Sequence, residues 1–359
     1  MTTLNEPPTW NLGRSDFDAW VKDLIASGKH VIAPSDRGTA RSFRALKSGD
    51  SVAFARRGKS TWSPKEHLFP KTETLFTYSV KGSDVEMADP EPLAAEQVLL
   101  GVRPCDAAGL CRLRTVLSPD PMFAHRSDLT TVVAFACAES DAECFCTAVG
   151  GSPIGREGVD LMIAASADGL VARAFTPKGQ ALVPSGKKAW KAAVGAAWED
   201  VVASSREVEK AIDKAPVARA WAKPLEDGFA SPVWSGLSES CIGCSICTYV
   251  CPSCSCFNVE DEGNASCGSR CRSWDSCSYG LFTVHGSGHN PRPDQASRLR
   301  QRVLHKFSYF QVAQAQTADG MGPQMCVGCG RCTLHCPVGI DIHGAVHAAM
   351  RATEAPHGK

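Results

Sequence analysis

The sequence predicts an α+β chain: an α/β-type region over residues 1–230, then a mainly helical, cysteine-rich region over 231–359. Three observations carry that prediction. Apolar strand patterns alternate with amphipathic helix patterns through the first 180 residues. A segment of good helix formers then ends at Pro216 and Pro224, which places a boundary between about 215 and 235. Beyond residue 240 the alternation fades, and 13 of the 18 cysteines follow.

The elements can be taken in order. Phe17, Trp20, Val21, Leu24 and Ile25 recur at helical spacing after "SD" and stop before Gly28, which predicts an amphipathic helix. "HVIAP" reads as a strand. "EQVLLGV" is an apolar strand running into "RPCD", where Asp106 is positioned to cap a helix through "AAGLCRLRTVL". "LTTVVAFAC" repeats the buried-strand pattern, and "VDLMIAASADGLVARAFT" reads as two strands around the turn "SADG". A helix is expected from Lys187 to about Lys214. In the second region "DQASRLRQRVLHKFSYFQVAQAQ" and "DIHGAVHAAMRA" read as helices, so that region is expected to be helical around a metal.

Composition excludes several roles. A hydrophobic fraction of 43% with 21% charged residues is that of a folded globular chain. Lys plus Arg and Asp plus Glu both number 38, so no global field draws the chain to nucleic acid or anionic lipid. The longest apolar run, near "TVVAFAC", falls far short of the roughly 20 residues that span a bilayer. The first residues also lack a basic stretch followed by an apolar one. A cytoplasmic protein is expected, in which thiols stay reduced. Eighteen cysteines there point to metal or redox chemistry rather than disulfides.

The cysteines supply the chemistry. "CIGCSICTYVCP" begins at residue 241 and "CVGCGRCTLHCP" at 326, each with cysteines at intervals of three, three and four before a proline. Three thiolates on one tight turn reach three corners of an iron–sulfur cube. The fourth, before the proline, ligates the other cube in two-cluster ferredoxins. That rule assigns Cys241, Cys244, Cys247 and Cys336 to one 4Fe-4S cluster and Cys326, Cys329, Cys332 and Cys251 to the other. Structural zinc prefers two Cys-x2-Cys pairs to four cysteines in one run. The 74 residues between Cys251 and Cys326 predict a helical two-cluster ferredoxin domain with an insertion.

Other cysteines pose a second question. Cys105 and Cys137 each follow an apolar strand, and parallel strands would put both thiols at the carboxyl edge of one sheet, where α/β proteins bind ligands. With Cys144 and Cys146 of "DAECFC" they form a candidate third site, for an iron–sulfur cluster or zinc; burial as small apolar residues is the alternative. Cys111 fits simple packing. In the insertion, Cys254, Cys256 and Cys277 are weaker metal candidates, as are Cys267 and Cys271. No GxGxxG follows a strand, no GxxxxGK[ST] occurs, and "GSGHNP" has the wrong spacing, so no dinucleotide or phosphate site and no catalytic site of the chain's own is evident. The basic stretch "RPDQASRLRQRVLHK" reads as a solvated helix face.

"GVRPCD", "CFC", "CIGCSICTYVCPSCSC", "RSWDSC", "GSGHNPRP", "RLRQRVLHK" and "CVGCGRCTLHCP" occur in an order that resembles the beta subunit of cytoplasmic bidirectional NiFe hydrogenases, the sulfhydrogenases. The order is similar as well to the electron-transfer subunit of anaerobic sulfite reductase. The resemblance spans most of residues 65–340, beginning at "SPKEHLFP"; Cys267 and Cys271 lie outside its pattern. It implies a component of a cytoplasmic oxidoreductase complex that relays electrons. The partners it implies are a flavin subunit handling NAD(P)H and a hydrogenase small subunit, or a sirohaem subunit in the sulfite reductase case.

Overall fold

The computed structural model describes residues 7–35, 41–50, 52, 59–91, 95–184, 189–193, 196–313 and 322–354. Its strands are β1 (Thr9–Leu12), β2 (His30–Ser35), β3 (Ser42–Ala45), β4 (Thr72–Lys81), β5 (Asp84–Ala88), β6 (Gln97–Val102), β7 (Thr130–Phe135), β8 (Leu161–Ser166), β9 (Gly169–Ala174), β10 (Lys191–Ala192), β11 (Phe257–Gly263) and β12 (Cys267–Trp274). The fold is α+β, in two compact units.

The first unit comprises residues 1–64, 94–216 and 327–329. Its sheet has the order β10-β1-β9-β8-β7-β6-β2-β3. The four central strands, β2, β6, β7 and β8, pair in parallel, and antiparallel strands close both sides. Every residue of β6 is buried, as expected of a parallel strand covered on both faces. Phe17, Trp20, Val21 and Leu24 of the helix Arg14–Ala26 pack into the same core as Val98, Leu100, Val133 and Leu161. Gly101, at φ +78, sits where the β6/β7 register shifts; a Cβ there would come within 3.0 Å of the Phe135 ring.

Two expectations change here. Asp106 caps the helix Pro104–Leu117 from its third position rather than as its first capping residue: Arg103 holds the N-cap place, and the Asp106 carboxylate accepts its N–H at 3.4 Å. Pro104 sets the start ahead of Asp106, because its missing N–H costs nothing there. The helix expected from Lys187 begins only at Ala196 and runs to Ile212. Lys191–Ala192 instead pair with β1 as an edge strand, and residues 187–188 lie outside the described residues.

The second unit comprises residues 65–93, 217–326 and 330–359. Its sheet, β11-β12-β4-β5, is antiparallel throughout. The sequence places residues 65–93 in the first region and expects a helical second one. The structure instead pairs β4 with β12, because the insertion between the cysteine motifs folds into the hairpin β11–β12. Buried Arg272 donates to buried Glu73 at 2.8 Å across that pairing, and the Trp274 indole N–H donates to Phe69 O at 3.1 Å. The helices Val233–Ser238, Gln295–Leu304 and Ile342–Glu354 pack together in this unit. A π-helical segment, His305–Tyr309, continues the second of them. No helix among the described residues is long and apolar enough to cross a membrane.

Candidate metal centres

Both cysteine motifs fold on one backbone plan. Gly243 has φ +68 and Gly328, 85 residues on, has φ +64. Two positions later Ser245 (φ 65, ψ 0) matches Gly330 (φ 71, ψ −1). Each loop then enters a single helical turn, Ile246–Tyr249 or Arg331–Leu334. Left-handed residues at alternate positions coil the chain tightly, and in the first motif Cys241, Cys244 and Cys247 all line one cavity.

That cavity also carries Cys336 and Cys332, walled by apolar Ile246, Val338 and Ile340. Burial pushes the Cys241 thiol up, and Cys247, Cys244 and Cys336 add to the effect, as neighbouring thiols that would carry like charge. The fourth cysteine of the second motif thus joins three from the first, as the exchange rule requires. Two hydrogen-bond donors test the fit of a cube. The Ile340 N–H donates to Cys336 Sγ at 3.2 Å. Ser245 is 1% exposed, lines the cavity, and its hydroxyl has no hydrogen-bond partner among the described residues. A buried hydroxyl without a partner costs about 1–3 kcal/mol, a cost that a sulfur acceptor in the cavity removes. The residues present fit a thiolate-bound iron–sulfur cube. Such a cube would supply one-electron storage, with Cys241, Cys244, Cys247 and Cys336 to hold it and the Ser245 hydroxyl and Ile340 N–H as donors toward its sulfur ligands.

The second motif is tied to the helix that follows "GSGHNPRP". Lys306 O accepts the N–H of Met325 at 3.0 Å and of Cys326 at 3.3 Å. The Ser253 hydroxyl donates to Met325 O at 2.7 Å and lies 3.5 Å from Cys251 Sγ. Cys251 and Cys326 are therefore held by one set of backbone anchors. In the first unit, Gly328 O accepts the Phe145 N–H at 2.9 Å, and a Cβ on Gly328 would come within 2.5 Å of Cys146 Cα.

The N-terminal thiols partly converge. β6 and β7 are parallel neighbours, so Cys105, in the first turn after β6, and Cys137, two residues after β7, stand at one sheet edge. Burial pushes the Cys137 thiol up to about 11 and Cys146 up to about 12, with Cys137 and Cys144 adding to the latter. Cys137, Cys144 and Cys146 thus gather. Cys105 adjoins Asp106, whose charge acts on Cys137. Nothing in the sequence points to Lys59: its ammonium is buried, 3.2 Å from Cys144 Sγ and 2.8 Å from Asp141, and these partners with Cys329 outweigh burial and hold it charged. Cys111 lies within the helix Pro104–Leu117, its thiol raised by burial, as packing predicts.

The basic helix is not a solvated face. Arg302 and Lys306, one helical turn apart, are 4% and 3% exposed, and Lys65 is 2% exposed. Arg302 donates to Cys254 Sγ at 3.7 Å and to Cys247 O at 2.8 Å. Lys65 donates to Cys254 O at 3.1 Å and stands 4.0 Å over the Trp274 ring. The i, i+4 spacing of Arg302 and Lys306 beside apolar Leu299 and Val303 is the signal that marks an inward face. Cys267 is exposed and Cys271 is buried in β12 beside Thr74 and Ser269. Among the described residues, no three His, Cys, Asp or Glu side chains close around a single metal ion.

Residues 240–340 match the family described as the 4Fe-4S dicluster domain. Sulfhydrogenase 2 subunit beta of Pyrococcus furiosus is 29% identical over 319 residues, covering 87% of this chain and 89% of that protein. This chain is a relative of that beta subunit. The likeness extends well beyond the dicluster domain into the α/β unit, so the motif order read from the sequence marks relatedness along most of the chain. Chance reuse of a ferredoxin motif would not extend so far. No solved structure matches the chain.

Proposed function

We propose that this chain is the iron–sulfur electron-transfer subunit of a hydrogenase-type complex, carrying two 4Fe-4S cubes. The carrying observation is the doubled loop whose exchanged cysteine, Cys336, lines one cavity with Cys241, Cys244 and Cys247. By the same exchange, Cys326, Cys329, Cys332 and Cys251 hold the second cube. Cys137, Cys144 and Cys146, with Cys105 beside them, form a further thiol group at the sheet edge, suited to an iron–sulfur cluster or zinc.

The sulfhydrogenase relative favours, for the terminal partner, a hydrogenase small subunit over a sirohaem sulfite reductase component. A flavin subunit that oxidises or reduces NAD(P)H stands at the other end of the relay, which is cytoplasmic. A relay needs clusters and docking surfaces but no substrate pocket, which agrees with a sequence that has no nucleotide fingerprint. The cluster-loaded chain alone is expected not to oxidise NADH or NADPH with a dye acceptor. Adding the co-purifying flavin subunit should restore that activity. Turnover by the single chain would make it an enzyme in its own right and overturn the relay reading.

A further inference from the structure

Three thiols of the insertion are used by neither ferredoxin motif. Cys254 and Cys277 are each 7% exposed and Cys256 is half-buried. Cys256 and Cys277 are hydrogen-bonded thiol to thiol, and Cys254 interacts with Cys256. Cys254 also contacts Cys251, the first motif's cysteine assigned to the second cube, so the group borders that cube's ligand set. The hairpin sets this geometry. β11 begins one residue after Cys256, β12 ends three residues before Cys277, and Asp275 N donates to Cys256 O at 3.0 Å.

The charge around them is the independent observation. Lys65, Arg302 and Lys306 are all buried, and none pairs with a carboxylate among the described residues. Their partners are the carbonyls of Thr248, Cys247, Ser253 and Cys254, the Ser253 hydroxyl, the Cys254 thiol and the Trp274 ring. Burying one cation without an anion costs several kcal/mol, and three together are not sustained by neutral thiols. Thiolates bound to a metal cluster supply that charge.

We propose that Cys254, Cys256 and Cys277 hold a third iron–sulfur cluster, next to the second ferredoxin-type cube and charge-compensated by Lys65, Arg302 and Lys306. The ligands are soft thiolates, which select iron–sulfur or zinc. Structural zinc takes four protein ligands, and three thiols gather here. Three thiolates leave one cluster iron for an oxygen ligand. Thr248 Oγ1, which touches Cys277 and accepts the Ser276 hydroxyl at 2.9 Å, borders that position.

The proposal rests on the two-cube reading only in leaving Cys251 to the second cube, and the test separates the two. The full-length chain is purified without oxygen in a background carrying both Cys144→Ser and Cys146→Ser, and clusters are counted by native mass spectrometry with iron and sulfide analysis. Three clusters are expected in that background, and two after adding either Cys277→Ser or Cys256→Ser, with both ferredoxin-type paramagnetic signals retained. Circular dichroism matched to the parent shows that the variants fold. The background chain's own count is a measurement independent of any variant. Only two clusters there, zinc in place of the third, or loss of the second cube's signal on Cys277→Ser would overturn the third site. Failure of the two-cube reading shows instead as absence of both ferredoxin-type signals from the background chain.

Discussion

Ser245 and Gly330 occupy equivalent positions in two copies of one loop, both left-handed with φ 65 and 71, and only Ser245 brings a hydroxyl to a buried cavity. A non-glycine residue in this conformation costs about 1–2 kcal/mol. With a cube bound, the hydroxyl would offset the strain as a donor to cluster sulfur, and donors to sulfur raise a cluster's potential. Ser245→Gly should lower the midpoint potential of the Cys241 cube, leave the Cys326 cube unchanged, and stabilise the backbone slightly. A potentiometric titration followed by paramagnetic resonance checks this. An unchanged potential would reduce Ser245 to a packing residue.

Cys336→Ser should damage the cube held by Cys241, Cys244 and Cys247, although it lies in the other motif. Cys336 lines their cavity, and its sulfur accepts the Ile340 N–H. Serine is a much poorer soft-metal ligand, so that cube should be lost or its potential shifted. If only the signal of the Cys326, Cys329 and Cys332 cube changes, the exchange is wrong.

Replacing Cys144 and Cys146 together by Ser should lower the metal content by one cluster or one zinc and leave the ferredoxin-type signals intact. Lys59 would then lose the thiol that helps hold it charged in a buried position. Metal analysis of parent and variant decides it. Equal metal content would mean that these thiols only pack.

The pairing of β4 with β12 predicts a stability effect at residues outside both cysteine motifs. Glu73→Ala leaves Arg272 buried without its carboxylate, at a cost of about 3–5 kcal/mol. Urea unfolding of the intact chain measures it. A fragment starting at residue 231 lacks β4 altogether and should fail the same assay more severely, whereas one that retains residues 65–93 should not.

Much of this was legible in the sequence because the signals were local. The periodicity of Phe17 to Leu24, the continuous apolar run of β6 and the intervals within each cysteine motif are all properties of ten or so neighbouring residues. What escaped was long-range or conformational. Nothing local tells that Thr72–Lys81 pairs with Cys267–Trp274, since the partners lie about 200 residues apart and an antiparallel register is set by both. Arg302 and Lys306 read as solvated because charged residues are seldom buried, and the partners they meet inside come from segments distant in sequence. Lys59 and Lys65 sit in stretches with no pattern of their own. Lys191–Ala192 carry helix-forming residues, yet tertiary pairing with β1 overrides that preference.

The central claim is that residues 240–340 hold two iron–sulfur cubes through exchanged cysteines. The most direct measurement is the iron and acid-labile sulfide content of the oxygen-free, full-length chain, with its paramagnetic resonance spectrum after reduction. Two cubes predict a brown protein with about eight or more irons per chain and the broadened spectrum of two interacting reduced clusters. A colourless chain, zinc in place of iron, or about four irons with a single isolated cluster signal would contradict it.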